Sequence, residues 1–140
     1  GDKNLTITDC ILKSVRECTE RGAFTIIPFF CGHDPRCRKP SNWSLNHAIV
    51  NVERYYPVVG ITENFEDTLK VFETILPHFF HGLVEKFNSM EDSHSETRAK
   101  YRYTPSPAAE DIMRGRLHYE YLFYNFIKNR FEKLRSRLMT

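Results

Sequence analysis

The stretch from Pro28 to Pro77 decides the fold, and it reads PFFCGHDPRC over residues 28–37 and VVGITENFEDTLKVFETILP over residues 58–77. Residues 58–61 form a short apolar, β-branched run after Pro57, which is typical of a buried strand. Apolar residues recur at helical spacing on both sides of this run, at Leu45, Ala48, Ile49, Val52, Tyr55 and Tyr56 before it and at Phe65, Leu69, Phe72, Ile75 and Leu76 after it. A helix, a buried strand and a helix in this order predict a layered α/β domain.

The flanking segments supply further elements. Residues 5–18 carry a helical pattern that includes the first two cysteines, and Phe24–Phe30 is a β-branched and aromatic run that Pro28 makes a strand end or an edge strand. Residues 78–87 predict a short helix. Ser106 and Pro107 suit the cap and first position of a long final helix. Its apolar stripe consists of Leu117, Tyr121, Tyr124, Ile127, Phe131, Leu134 and Leu138.

Length and composition indicate one soluble globular domain. The chain has 140 residues, of which 41% are hydrophobic and 27% charged, and no apolar run approaches the roughly 20 residues that span a bilayer. The first four residues are polar, so we expect the chain to begin after any signal peptide or to lack one.

Charge is small overall and uneven along the chain. The net charge of +2 is too small to indicate a nucleic-acid partner. Basic residues accumulate after residue 97, at Arg98, Lys100, Arg102, Arg114, Arg116, Lys128, Arg130, Lys133, Arg135 and Arg137. This half fits either an anionic partner or a solvated basic helix face.

Four cysteines lie in two close pairs. Four cysteines allow three connectivities, and short local loops favour Cys10–Cys18 and Cys31–Cys37. Glycosylation sequons begin at Asn4 and Asn42. Paired cysteines together with sequons favour an oxidising, secretory compartment.

Catalytic and metal-binding motifs are missing from the sequence. It contains no Gly-x-Ser-x-Gly motif and no glycine-rich phosphate loop. A metal site could draw on Cys31, His33 and Cys37, with His47, His78 and His81. Their spacing matches no zinc pattern, and a disulfide would use both thiols, so no metal is predicted.

The polar segment from Ser93 to Tyr103 is the strongest candidate for ligand binding. It combines a hydroxyl, a histidine, three cationic side chains and two aromatic rings. Arginine binds phosphate or sulfate bidentately, hydroxyls donate single hydrogen bonds, and an aromatic ring can stack on a base. The alternative is a solvated, flexible loop.

Several motifs resemble the C-terminal half of the uronyl 2-O-sulfotransferases, which include the heparan sulfate and dermatan/chondroitin enzymes and the insect Pipe proteins. The resemblance rests on IPFFCGH at residues 27–33, Cys37, Trp43, VGITENFED at residues 59–67 and LPHFFHG at residues 76–82. It covers the chain from about Cys10 to the final helix.

The resemblance implies a sulfotransferase of the Golgi lumen, within a type II membrane protein whose membrane segment is not in this chain. Such an enzyme transfers sulfate from 3′-phosphoadenosine 5′-phosphosulfate to the 2-hydroxyl of a uronic acid in a glycosaminoglycan or glycoprotein glycan. The implied fold is the C-terminal portion of a P-loop-like α/β sulfotransferase domain, with a few short parallel strands, flanking helices and a long C-terminal helix. A homo-oligomer, often a trimer, and the same two disulfides are also implied.

The resemblance also suggests site residues in the polar segment. By position, Phe87, Ser93, Arg98 and Tyr101 would contact the nucleotide. Glu96 stands where a substrate-reading arginine is expected, and an acid cannot bind a carboxylate or sulfate. Either the alignment slips by two and Arg98 takes that role, with Lys100 beside it, or the acceptor differs.

The family's phosphosulfate loop and catalytic base lie in the N-terminal half, which this sequence does not contain. Residues 1–140 would therefore be the C-terminal part of one sulfotransferase domain, with no catalytic residue of its own and no activity in isolation. The rival interpretation is a non-catalytic, disulfide-stapled module that binds a glycan or a protein.

Overall fold

The computed structural model describes residues 5–90 and 103–139 of the chain. These residues form helices α1 (Ile7–Leu12), α2 (Glu20–Ala23), α3 (Ile26–Cys31), α4 (Asn42–Tyr55), α5 (Phe65–Ile75), α6 (Pro77–Phe80), α7 (Leu83–Ser89), α8 (Pro107–Arg116) and α9 (His118–Leu138). Single 3-10 turns occur at Arg16–Cys18, Pro35–Arg38 and Thr62–Asn64. The described residues fall into two compact units, residues 5–55 with 103–124 and residues 56–90 with 125–139.

The predicted α/β fold with short parallel strands is wrong, because the described residues contain no strand. Residues 58–61 are extended at their end, where Ile61 has φ −122° and ψ 138°. The backbone N–H of Ile61 donates to the Thr68 hydroxyl (3.1 Å), and that hydroxyl donates to the Ile61 carbonyl (2.9 Å). A helix side chain therefore satisfies the backbone groups that a neighbouring strand would otherwise bind.

Gly60 makes this arrangement possible. A Cβ atom at this position would lie 2.1 Å from Cγ2 of Thr68, which is too close for any side chain. The glycine that suggested a closely approached strand is instead approached by the threonine of α5.

The predicted strand at Phe24–Phe30 is helix α3. Pro28 lies in the first turn of this helix, where a backbone N–H has no intrahelical partner and proline costs little. β-Branched and aromatic residues therefore gave the wrong secondary structure here, because a short buried run does not distinguish strand from helix.

The first unit has its core around the Cys10–Cys18 disulfide and between α3 and α4. Ile11, Cys18 and Ala109 are buried together, and α3 packs along α4. Ser106 begins α8 by accepting the Ala109 N–H (3.3 Å), while its own N–H donates to the Thr8 hydroxyl (3.0 Å). These bonds tie the start of α8 to α1.

Arg116 fixes the disulfide loop. Its guanidinium donates to the carbonyls of Ile11 (3.1 Å) and Cys18 (2.6 Å) and to the Ser14 hydroxyl (2.9 Å). Ser14 adopts a left-handed conformation with φ 52°, which non-glycine residues rarely do. The loop is therefore closed covalently at its ends and by hydrogen bonds across its middle.

In the second unit, α5 packs against α6 and α7. The rings of Phe72 and Phe80 lie 5.3 Å apart. Arg135 forms an ion pair with Asp67 (2.9 Å). Asp67 also accepts from Asn64, and these contacts, with the hydrogen bond from Asn64 first, lower its pKa. The network links α9 to the start of α5.

The predicted final helix is interrupted. A turn at Leu117, with φ −95° and ψ 20°, separates α8 from α9. Phe123, Ile127 and Phe131 are buried, so the predicted stripe is right at Ile127 and Phe131 and lacks Phe123. Tyr121 and Leu138, which the stripe included, are exposed. None of the described helices is both long and apolar enough to cross a bilayer.

Both disulfides favoured by the sequence are present. Their Cα atoms lie 5.9 Å apart for Cys10–Cys18 and 5.5 Å apart for Cys31–Cys37. Cys18, Cys31 and Cys37 are buried. Both bonds close short loops in the first unit.

Removing either disulfide should destabilise the fold. Loops of this length are expected to contribute about 2 kcal/mol each to the free energy of unfolding. We expect the Cys10→Ser/Cys18→Ser and Cys31→Ala/Cys37→Ala variants to unfold at lower urea concentration than the parent. Reductant should shift the midpoint of the parent in the same direction. Identical midpoints with and without reductant would contradict the structural role of these bonds.

Candidate nucleotide and acceptor site

Of the residues proposed to contact nucleotide or acceptor, only Phe87 belongs to the part of the chain that the structure describes. Ser93, Glu96, Arg98, Lys100 and Tyr101 lie outside the described residues, as does the sequon at Asn4. The described part of the candidate site consists of helix α7, which precedes residues 91–102 in the sequence, and of the blocks that carry the family resemblance.

Phe87 is half-buried near the end of α7. Its ring lies 5.2 Å from the ring of Phe65, in an edge-on arrangement. Such aromatic pairs favour edge-to-face geometry and limit the rotamers of both rings. The side chain predicted to contact the nucleotide is thus positioned by a residue of α5.

Glu73 fixes the start of α7. Its carboxylate accepts the backbone N–H of Gly82 (2.7 Å) and that of Val84 (3.3 Å). Gly82 is left-handed, with φ 76°, which glycine adopts without a Cβ penalty. A carboxylate at this end of a helix satisfies unpaired donors and complements the helix dipole. Phe87 therefore lies on a helix whose origin is held by α5.

The Phe29-Phe30-Cys31-Gly32 block forms the end of α3 and is held from both ends. One carboxylate oxygen of Glu120 accepts the N–H groups of Thr25, Ile26 and Ile27, at 3.0, 3.1 and 3.3 Å. The Asn51 amide donates to the carbonyls of Phe30 (2.9 Å) and Cys31 (3.0 Å). The helix is short, yet side chains satisfy the main-chain groups at both of its ends.

Glu120 is an acid in a buried setting. It is 6% exposed, and burial raises the pKa of its carboxyl although the three backbone donors act in the opposite direction. The neutral form is therefore the less costly one to bury. Phe29 lies on α3, the helix that Glu120 anchors, and it is 73% exposed.

The loop after α3 carries a stacked surface cluster. Arg36 pairs with Asp34 (2.9 Å), and its guanidinium lies 3.9 Å from the ring centre of Trp43. Trp43 stacks on His47 at 4.8 Å. Hydrogen bonds from the side chain and backbone of Arg36 lower the pKa of Asp34 to about 2. The Arg36 guanidinium is thus already paired with Asp34 and stacked on Trp43. The thiols of Cys31 and Cys37, which the sequence offered as metal ligands, are joined in a disulfide.

The second sequon lies at the start of α4. Asn42 is exposed, whereas Ser44 is fully buried. The hydroxyl of Ser44 hydrogen-bonds to the carbonyls of Lys39 (2.8 Å) and Ser41 (3.0 Å). Asn42 is therefore accessible in the folded chain, while the Ser44 hydroxyl stabilises the start of α4 through its hydrogen bonds.

Sequence reasoning missed the residues that position these blocks, namely Glu73, Asn51 and Glu120. Glu120 alone left a signal, because it is a single acid within the aromatic segment HYEYLFYN at residues 118–125. An acid on the buried face of such a helix requires donors, and it finds them on α3. No spacing rule identifies Glu73 or Asn51.

The chain is similar over almost its whole length to known sulfotransferases, although no family model matches it. It is 38% identical over 139 residues to the uronyl 2-sulfotransferase of Mus musculus, which covers 98% of this chain and 34% of that protein. It is 33% identical over 142 residues to heparan sulfate 2-O-sulfotransferase 1 of Xenopus laevis, which covers 97% of this chain and 38% of that protein.

A third relative is the heparin sulfate O-sulfotransferase of Drosophila melanogaster, at 29% identity over 99% of this chain and 40% of the relative. The chain thus spans a third to two fifths of the length of these relatives. All three are sulfotransferases by name, which defines the class of the homologous proteins. The resemblance to the uronyl and heparan sulfate 2-O-sulfotransferases is confirmed, and this chain is homologous to a segment of them.

Substituting Glu120 should reveal its buried charge through the pH dependence of stability. A folded-state pKa above the ordinary value means that stability is full below that value and is lost as the pH rises through the raised pKa. The free energy of unfolding of the parent should therefore fall relative to that of Glu120→Gln as the pH rises from about 4 through the raised pKa of Glu120. Urea unfolding of both proteins across this range measures the difference.

Glu120→Ala provides the complementary test. It leaves three N–H groups without their acceptor and should cost about 2–4 kcal/mol at neutral pH. A parent-to-Gln difference that does not change with pH would contradict the buried-carboxylate assignment.

Removing the Glu73 carboxylate should loosen α7. Glu73→Ala eliminates the acceptor for Gly82 and Val84, which should cost about 1 kcal/mol and speed amide hydrogen exchange at both positions. Glu63→Ala, which removes an exposed acid of the same unit, is the matched control. Equal exchange rates in the two variants would show that Glu73 does not hold the helix.

Proposed function

We propose that this chain is the C-terminal part of a glycosaminoglycan 2-O-sulfotransferase domain. In the complete domain the reaction would move sulfate from 3′-phosphoadenosine 5′-phosphosulfate to the 2-hydroxyl of a uronic acid. The observation that carries the proposal is the 38% identity to a uronyl 2-sulfotransferase over 98% of this chain.

The segment would contribute residues that bind the nucleotide and the acceptor rather than the catalytic centre. Phe87, Ser93, Arg98 and Tyr101 would contact the nucleotide. Glu96 and Lys100 would face the acceptor, and Arg98 would do so in place of its nucleotide contact if the alignment slips by two. The fixed start of α7 supports this division, because a nucleotide contact at Phe87 requires that helix to be held in place.

The chemistry requires groups that lie elsewhere in the protein. A base removes the proton of the 2-hydroxyl, the oxygen forms a bond to sulfur, and the bond between sulfur and the bridging phosphate oxygen breaks. Cations stabilise the charge on the sulfonate and on the departing nucleotide. Arg98 and Lys100 of the 93–103 segment would contribute to this stabilisation, whereas the base and the phosphosulfate loop would come from the preceding half of the domain.

The compartment follows from the same proposal. Two disulfides and an exposed Asn42 in a sequon suit the oxidising secretory pathway. The proposed location is the Golgi lumen, within a type II membrane protein that carries N-linked glycans and assembles as a homo-oligomer, for which a trimer is the first arrangement to test.

Substitution of Arg98 tests the proposal in the longer protein that contains this chain. Arg98→Ala should weaken the binding of 3′,5′-adenosine bisphosphate or of an acceptor oligosaccharide by about tenfold to a hundredfold, because a charge-assisted pair contributes roughly 1.5–3 kcal/mol. Calorimetric titration with each ligand decides which of the two roles the arginine has.

Arg54→Ala, at an exposed arginine of α4, is the control for a general charge effect. Unchanged affinities for both ligands would remove Arg98 from the site. Glycan binding that does not respond to the nucleotide would favour a non-catalytic binding module over the enzyme.

A further inference from the structure

An open groove with a volume of about 700 Å³ lies in the first unit. It is lined by Arg16, Glu17, Thr19, Arg21 and Gly22. The first two lie inside the Cys10–Cys18 loop, and the other three follow it in the sequence. Pockets for small ligands occupy about 300–1,000 Å³. The groove is therefore large enough for a sugar unit of a longer chain.

The floor of the groove is a fixed turn. The Thr19 hydroxyl donates to the Arg16 carbonyl (2.7 Å) and accepts the Gly22 N–H (3.2 Å). A Cβ atom at Gly22 would lie 1.8 Å from the Arg16 carbonyl oxygen, so only glycine allows this approach. A ligand would meet a backbone that is already ordered, which lowers the entropic cost of binding.

The Cys10–Cys18 disulfide and Arg116 hold the residue that precedes Thr19 in this turn. Cys18 is buried and bonded to Cys10, and its carbonyl accepts from the Arg116 guanidinium (2.6 Å). The base of the groove is thus anchored to the core around Ile11 and Ala109.

Two arginines of the groove wall have no described protein partner. Within residues 5–90 and 103–139, neither the Arg16 nor the Arg21 side chain forms an ion pair or a side-chain hydrogen bond, and both residues are exposed. In the same unit, the Arg114 guanidinium is paired with Glu110 at 2.6 Å. The groove cations therefore remain available to an anion, whose sulfate or carboxylate the arginine fork binds in a bidentate manner.

Glu17 indicates which kind of anion fits. Glu17 and the neighbouring exposed Glu20 balance the charge of the two arginines. These carboxylates repel a purely anionic ligand but accept hydrogen bonds from hydroxyl groups. An acidic sugar offers both an anionic group and several hydroxyls. A phosphate backbone of nucleic acid offers repeated charges and few donors of this kind.

We propose that the groove formed by residues 16–22 binds an acidic sugar unit of the acceptor glycan, through its sulfate or carboxylate group and its hydroxyls. The choice of ligand class rests on the proposed function, while the groove and its unpaired cations do not. The groove would hold the polymer by residues that are not part of the 93–103 segment.

The test uses the longer protein that contains this chain and a heparin hexasaccharide as the probe. The double variant Arg16→Ala/Arg21→Ala should bind the probe about tenfold more weakly at low salt, and this difference should diminish as salt screens the charges. The control Arg38→Ala/Arg54→Ala removes the same charge from exposed arginines outside the groove and should bind normally. Circular dichroism and thermal unfolding verify that both variants are folded.

Two further measurements sharpen the result. Glu17→Gln should bind the probe more tightly, because it removes the repulsive charge and keeps a hydrogen-bond acceptor. A hyaluronan hexasaccharide, which carries carboxylates only, distinguishes the anionic groups: loss of heparin binding alone assigns sulfate to the groove, and loss of both assigns carboxylate.

The outcomes separate this proposal from the proposed function. If the groove variant retains normal affinity, or if the control loses as much, the groove does not bind the glycan. If the protein binds heparin through Arg16 and Arg21 and transfers no sulfate, the groove assignment stands and the enzyme assignment fails. In an active enzyme, the groove variant should raise KM for the polymer and leave the affinity for 3′,5′-adenosine bisphosphate unchanged.

Discussion

Hydrogen bonds between single side chains and the main-chain groups of other elements hold this structure together. Glu120 binds the start of α3, Thr68 binds both polar groups of Ile61, and Glu73 binds the start of α7. Helices of four to seven residues are not stable by themselves in water. Each of these helices or extended segments therefore depends on a side chain supplied by another element.

Part of this fold could be predicted from the sequence, and the rest depends on tertiary contacts. The two disulfides and the serine that begins α8 follow from local chemistry, since cysteine spacing and capping residues act over a few positions. The strands predicted at Phe24–Phe30 and Val58–Ile61 were wrong because β-branched composition does not determine which groups bind the backbone of a segment. One segment became a helix that Glu120 holds, and the other is extended beside Thr68.

The candidate site shows the same limit. The family could be predicted from IPFFCGH, VGITENFED and LPHFFHG, because these blocks combine rare residues in a fixed order, and the relatives confirm it. The supports of these blocks could not be predicted. Asn51 and Glu73 are ordinary polar residues of helices, and only the folded chain brings them to the carbonyls and N–H groups that they bind. The roles given to Ser93, Glu96, Arg98, Lys100 and Tyr101 stay predictions.

The bond between Glu120 and Thr25 joins residues 95 positions apart, and this separation has a consequence for biosynthesis. A chain made from its amino end presents Thr25 long before Glu120 leaves the ribosome. Until then the start of α3 lacks the Glu120 acceptor, and the Phe29-Phe30-Cys31 segment that follows lacks this support. This region can therefore be completed only after residue 120 has been made, and any truncation before residue 120 leaves the start of α3 without its acceptor.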